Sequence, residues 1–208
     1  MRVLIACEFS GVVRDAFIER GHHAVSCDLL ASESSKGPHL QMDVLNALGD
    51  GRAWDLMIAN PPCQFLNHAG VRWLYKDGRR WIKDAGGKVI GENPRNESRW
   101  VEMWNAAQFF LALRSACIPK IAVENSEMHP YSLELVGKSD QVINPWEYGH
   151  GESKATHLWL TGLPELVPTN IVAGREPRVH HASHGPNRWK ERSRTLPGIA
   201  KAMAEQWG

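Results

Sequence analysis

Two side chains in this chain of 208 residues are of types, and in surroundings, that could do chemistry together: the thiol of Cys63 and the carboxylate of Glu124. Cys63 lies in the run DLMIANPPCQFLNHAG, where an apolar, strand-like segment ends in Asn60, Pro61 and Pro62. The two prolines fix the backbone and prevent a helix from starting, so the thiol is held on a rigid turn just outside a buried strand. A free cysteine is most often an inert buried hydrophobe, and that reading is kept for Cys7, Cys27 and Cys117. The turn and the polar Gln64 set Cys63 apart. Glu124 closes the apolar run of IAVENSEMH, where a carboxylate at a core edge is costly unless it is used. A thiolate adds to electron-poor carbon and a neighbouring carboxyl group manages a proton, so the pair suits nucleophilic catalysis with acid–base assistance. An ordinary thiol, with a pKa of ~8.5, is little ionised at neutral pH, and such a site has to favour the thiolate.

The elements that must deliver these groups are legible as a pattern. Short apolar runs at 3–7, 24–27 and 56–59 alternate with helical patterns at 11–20 and 44–48, the signature of a parallel sheet with crossover helices. A helix over about 99–116, strands at 121–124 and 156–161, and a closing helix at 196–207 continue it. The expected class is α/β, a Rossmann-like, mostly parallel sheet with helices on both faces, forming a single domain over 1–208. Stretches at about 67–98 and 164–194 lack periodicity and read as irregular insertions, where function-specific loops sit. Ligands of open α/β sheets gather at the carboxyl ends of the strands, which brings together CEFSG, CDLL, NPPCQ and ENSEMH.

Each of the other strand ends has two readings. The loop from Cys7 to Gly11 has one glycine and no G-x-G-x-x-G, so it is either a nucleotide loop or an ordinary strand-to-helix turn. Asp28 stands where a carboxylate would accept hydrogen bonds from ribose hydroxyls, or where it would cap a turn. Asp43 could meet an adenine amine, but an Asp before a helical run reads first as an N-cap.

The 24 Lys and Arg against 23 Asp and Glu leave a formal charge of +1, so the chain is no polycation and affinity for nucleic acid has to come from local patches. Two exist. The stretch 71–99 carries Arg72, Lys76, Arg79, Arg80, Lys83, Lys88, Arg95 and Arg99; the stretch 174–194 carries Arg175, Arg178, Arg188, Lys190, Arg192 and Arg194. Trp73, Trp81 and Trp189 lie among those charges, suited to base stacking or to anchoring a loop. The 4 cysteines form no C-x-x-C pair, which argues against a zinc site or a disulfide framework and for a reducing, cytoplasmic setting. The opening MRVLIACEF is too short in its apolar run for a signal peptide or membrane span, and a soluble protein is expected.

At the Cys63 and Glu124 motifs the sequence resembles the DNA cytosine-5 methyltransferase family, in particular its short phage and prophage versions. PPCQFLNHAG is similar to that family's Pro-Cys-Gln motif, with Cys63 as nucleophile, and VENS to its Glu-Asn-Val motif, with Glu124 and Asn125 as catalytic residues and Glu124 gripping cytosine N3. IACEFSGVVRDAF resembles its first cofactor loop. The likeness runs from residue 2 to about 127. It implies the S-adenosylmethionine-dependent methyltransferase fold, with that cofactor held by Cys7, Glu8, Phe9, Ser10, Gly11, Asp28, Leu29, Asp43, Asn60 and Pro62. It also implies a DNA substrate met by Gln64, Arg72, Arg79, Arg80, Lys154 and Arg194, within a bacterial host cell and a restriction-modification setting.

The chain departs from the family in three places. Phe9 and Val12 stand where glycines are expected. SKATHLWLTG offers Ser153, Ala155 and His157 in place of Gln-x-Arg-x-Arg, leaving Lys154 or Arg194 as replacements for the missing charge. Only a short stretch separates Gly162 from RSRTLPGIAKAMAEQW, with no room for a full target-recognition domain, so recognition is expected to be short, loose or supplied by a partner or oligomer. Carbon 5 of a pyrimidine attacks a methyl donor only after a thiolate has added at carbon 6, whereas an exocyclic amine needs no covalent helper. The Cys–Glu pair therefore favours carbon methylation over the alternatives: amine methylation, action on RNA or a free nucleotide, or a silent nucleic-acid-binding relative.

Overall fold

The computed structural model describes residues 1–177, 185 and 188–208; Arg178 of the second basic stretch lies outside the described residues. The chain begins with β1 (Arg2–Ala6), α1 (Val12–Glu19), β2 (His23–Asp28), β3 (His39–Gln41), α2 (Val44–Gly49) and β4 (Leu56–Ala59). It continues through β5 (Trp81–Lys83), β6 (Val89–Glu92), α3 (Glu97–Arg114), β7 (Lys120–Asn125), α4 (Pro130–Val136), β8 (Gln141–Ile143), β9 (Thr156–Thr161), α5 (Arg188–Ser193) and α6 (Pro197–Gln206).

Seven strands form a sheet in the order β3-β2-β1-β4-β7-β9-β8. Pairing is parallel from β3 through β7, and β9 runs antiparallel to both its neighbours. This is the expected α/β class, a Rossmann-like, mostly parallel sheet. The central strands read as continuous apolar runs because both faces are covered. Leu4, Met57, Ile121 and Val123 pack with Met103, Ala107, Phe110 and Leu113 of α3 on one side. Val3, Ile5, Leu56 and Ile58 pack with Phe17 of α1 and Ile199 and Met203 of α6 on the other. The fully buried Phe110 meets Trp159 edge-on, ring centroids 5.0 Å apart; truncating such a side chain to alanine typically costs about 3–5 kcal/mol.

The chain leaves β1 for β2 and β3 on one side and returns to β4 on the other. The crevice at that switch point, outside the ends of β1 and β4, is where an open α/β sheet takes a ligand.

Several elements differ from the sequence expectation. The stretch 67–98 is not irregular: it holds 3-10 turns at His68–Leu74 and Lys76–Gly78, followed by an antiparallel β5–β6 hairpin. Its turn is built by Asp84, whose Oδ1 accepts from the amides of Gly86 and Lys88, both at 2.9 Å. In the second stretch, α5 and the bridges of Tyr148 with Asn170 and Glu152 with Glu176 give order where none was expected. The helix α3 starts two residues before the expected position. Cys117 is exposed, not a buried hydrophobe. Among the described residues no helix is long and apolar enough to cross a membrane.

Candidate active site

The first loop is shaped by a buried carboxylate. Cys7 turns the chain with φ of 58°, a value rare outside glycine, and aims Glu8 at the first turn of α1. Glu8 Oε1 accepts from the amide of Val13 at 2.7 Å and Oε2 from that of Arg14 at 3.2 Å, so this side chain satisfies two of the orphan donors of the helix, with Ser10 Oγ accepting from Val12. Burial pushes its pKa up to about 7, against the opposing effect of those two amides. Gly11 caps α1 at φ 76°, and a Cβ there would stand 2.6 Å from the Arg14 guanidinium. Glu8 is thus engaged by the helix, and it also lines the cavity at the switch point. Burial and the nearby Asp28 raise the Cys7 thiol far above its ordinary range, and burial pushes Cys27 up to about 11; both stay protonated.

Asp28 ends β2 with Oδ1 accepting from the amide of Leu30 at 2.9 Å. Its other oxygen has no hydrogen bond among the described residues. The next residue, Leu29, is 71% exposed. Asp43 is the N-cap of α2, accepting from Leu45 at 2.9 Å, which is the reading the sequence favoured.

After β4 the chain runs through Asn60, buried Pro61, exposed Pro62 and exposed Cys63. Parallel pairing of Ala59 with Val123 sets Asn60 beside Glu124 and Pro61 beside Asn125. The buried Asn125 donates from Nδ2 to the carbonyl of Pro61 at 3.0 Å. Beyond that bond the two loops are stitched together. His129 N donates to Leu66 O at 3.1 Å, His68 N to Glu127 O at 2.9 Å, and Asn67 and Met128 form an antiparallel bridge. The His129 ring lies between Phe65 O and the amide of Ser132, where burial lowers its pKa and keeps it neutral. Asn67 Nδ2 is 3.6 Å from Cys63 Sγ, an amide contact that sequence reasoning did not single out.

Alternation along β7 sends Asn125 and Glu124 to opposite faces of the sheet. On its own face Glu124 meets Thr195, whose Oγ1 donates to Oε2 at 3.2 Å. Thr195 precedes α6 and is buried. Its neighbour Arg194 makes two hydrogen bonds to Glu33, at 3.0 and 2.9 Å, and Glu33 N donates to Phe9 O at 2.8 Å. Lys154 Nζ holds the carbonyl of Arg192 at 2.8 Å, and His157, neutral through burial, bonds Ser139. Lys154 and Arg194, the sequence candidates for replacing the missing arginines, thus tie down the segment before α6. Of the remaining cations, Arg72 stacks on Trp73, and Arg80 bonds Glu92 and Tyr131; Arg79 is exposed.

At the switch point a cavity of about 30 Å³ is lined by Cys7, Glu8, Phe9, Ser10, Asn60, Ser193, Arg194 and Thr195. It has room for little more than water, so a nucleoside-sized group enters only if Ser193 and the Arg194 side chain move aside. Its polar groups nonetheless suit S-adenosylmethionine, which offers an ammonium, ribose hydroxyls and an adenine amine. Asn60 Oδ1 in its lining is buried without a hydrogen-bond partner, while Asp28, with a spare carboxylate oxygen, and the exposed Leu29 stand outside that lining at the end of β2. A second, open groove of about 600 Å³ adjoins Cys63, lined by Gln64, Asn67, Trp73, Asn96 and Arg99 among others. Arg99 Nη2 donates to Gln64 O at 3.3 Å across it.

No protein-family model and no curated protein sequence matches the chain. Among solved structures it is similar to that of a protein provisionally named a DNA modification methyltransferase, encoded within a prophage (E. coli), at 12% identity and a TM-score of 0.46. The alignment covers 84% of this chain and 53% of that one, so the chain spans about half the length of the structure it matches.

Proposed function

We propose that this protein is an S-adenosylmethionine-dependent methyltransferase acting on carbon 5 of cytosine in DNA through a covalent bond to Cys63. The observation that carries this reading is the coupling of the Cys63 turn to the strand bearing Glu124, through the Asn125 to Pro61 hydrogen bond of 3.0 Å. A nucleophile and its proton-handling partner have to be held in one fixed relation, and this bond joins their supports.

Asp28, Leu29, Asn60 and the loop around Phe9 and Ser10 would hold S-adenosylmethionine, which when bound would supply an electrophilic methyl group. Cys63, having lost its proton to solvent, forms a carbon–sulfur bond at carbon 6, and the displaced electron pair makes carbon 5 nucleophilic. Glu124 holds a proton at N3 as charge builds on the ring, and Thr195 keeps that carboxyl group in place. Once carbon 5 carries the methyl group, loss of its proton to water expels the thiolate and restores the ring. Asn67, at 3.6 Å from Sγ, favours negative charge on sulfur both before attack and on departure. A cytosine within a duplex has to be extruded to reach Cys63, and the turn that carries Cys63 is exposed at the strand ends, beside the open groove lined by Gln64, Asn67 and Arg99.

A second reading, transfer to an exocyclic amine, is favoured by the unpartnered Oδ1 of Asn60, an acceptor suited to an amino group. Mass spectrometry of nucleosides from DNA of cells expressing the protein separates the two. The proposal expects 5-methylcytosine that disappears with Cys63→Ala. Methylation on N4 of cytosine or N6 of adenine supports the second reading, and the absence of any methylated base contradicts both.

A further inference from the structure

The β5–β6 hairpin stands apart from the sheet. Every residue from 81 to 90 is exposed, including Trp81 at 44%, Ile82 at 40%, Val89 at 47% and Ile90 at 63%. An isolated two-stranded ribbon is marginally stable in water and its open edges invite pairing, so apolar exposure on both strands calls for a reason.

Its base is rigid. Arg80 Nη1 donates to Tyr131 Oη at 2.9 Å, Nε donates to Glu92 at 3.1 Å, and the guanidinium lies 4.4 Å from the centre of the Trp81 ring. Tyr131 in turn bonds Tyr75 at 3.2 Å, and Asn93 clasps the carbonyls of Arg79 and Arg80. The outward charge is positive. Both hairpin carboxylates are engaged, Asp84 by turn amides and Glu92 by Arg80, while no ion pair holds Arg79, Lys83 or Lys88 among the described residues.

We propose that the β5–β6 hairpin enters the major groove of duplex DNA and seats it beside the Cys63 groove. The inference rests on the cytosine reading for its purpose, though not for its test. A two-stranded ribbon fits a groove about 12 Å wide and about 8.5 Å deep. The free cations meet phosphates, and Ile82, Val89 and Ile90 offer the apolar contact that thymine methyl groups accept. The connection to the reaction centre is short: α3 begins soon after β6, and its Arg99 bonds the carbonyl of Gln64, next to Cys63. The hairpin thereby supplies a sequence-reading surface beside the Cys63 groove.

The test is binding of the full chain to a mixed-sequence DNA duplex by fluorescence anisotropy at several salt concentrations, which needs no turnover. Lys83→Ala combined with Lys88→Ala is expected to lower affinity at least about tenfold and to reduce the magnitude of the log affinity against log salt slope by roughly 0.9 for each lost phosphate contact. Replacing Ile82 and Ile90 by serine is expected to weaken binding with the salt slope kept. An unchanged unfolding midpoint shows that the variants are folded. Wild-type affinity and slope in the lysine variant overturn the inference, as does a wild-type chain that binds no duplex. Failure of the cytosine reading appears separately, as duplex binding through the hairpin in a protein that forms no 5-methylcytosine.

Discussion

Asn125 donates from Nδ2 to the carbonyl oxygen of Pro61 at 3.0 Å, tying the end of β7 to the turn that precedes Cys63. Both partners are buried, so removing the amide leaves a carbonyl without its donor. Asn125→Ala should cost about 1–3 kcal/mol of stability, measurable by urea unfolding. Because it frees the Cys63 turn from the Glu124 strand, methyl transfer should fall by more than the loss of folded protein accounts for. A variant that loses stability but keeps its rate per folded molecule would show that the bond only supports the fold.

Thr195 and Glu124 make the second coupling, with Oγ1 donating to Oε2 at 3.2 Å. Thr195→Val keeps the shape and removes the donor, so kcat should drop about threefold to tenfold for a lost hydrogen bond of about 1 kcal/mol. KM for DNA should hold, and Thr195→Ser should restore the rate. Equal rates in the valine and serine variants would remove Thr195 from the account.

How much of this was legible depends on the distance over which each feature is decided. Strand ends such as NPPCQ and VENS were readable because apolar runs bounded by turn residues are local signals. The strand at Thr156–Thr161 matches its expected bounds. β3 and β8, with three residues each, exist only because a neighbour supplies the pairing. For α4 and the hairpin the signals were present but passed over: Pro130 at the first turn with Gly137 after the last, and Asp84 to Lys88 as a glycine-bearing turn. The contact of Thr195 with Glu124 spans 71 residues, and no periodicity announces it. The role of Glu8 was hidden for a related reason, since a residue N-terminal to a glycine cap is not the usual place to seek helix capping.

Glu8 gives a pH prediction. Its pKa in the folded protein, about 7, lies above the ordinary 4.5, so the native state holds this proton more tightly than the unfolded chain. The contribution is fully present below pH 4.5 and is lost as pH rises through about 7, a change worth roughly 3 kcal/mol. Glu8→Gln is neutral throughout, so the stability of wild type minus variant should fall between pH 5 and pH 8 in urea titrations. A difference independent of pH would show that the carboxyl group titrates normally.

Asp28 offers one oxygen to Leu30 and keeps the other spare. Asp28→Asn retains the turn acceptor but removes the charge, and should weaken S-adenosylmethionine about tenfold, or about 1.4 kcal/mol, by calorimetry. An unchanged affinity in the folded variant would return Asp28 to a purely structural turn.

The central claim is the carbon–sulfur bond. A DNA oligonucleotide duplex library carrying 5-fluorocytosine, incubated with protein and S-adenosylmethionine, tests it directly because fluorine cannot leave carbon 5 as a proton does. The account predicts a denaturation-resistant protein–DNA adduct with the wild-type chain, mapped by mass spectrometry to Cys63 and absent from Cys63→Ser. A Cys63→Ser variant that methylates cytosine at near wild-type rate, or an adduct mapped to another residue, would contradict it.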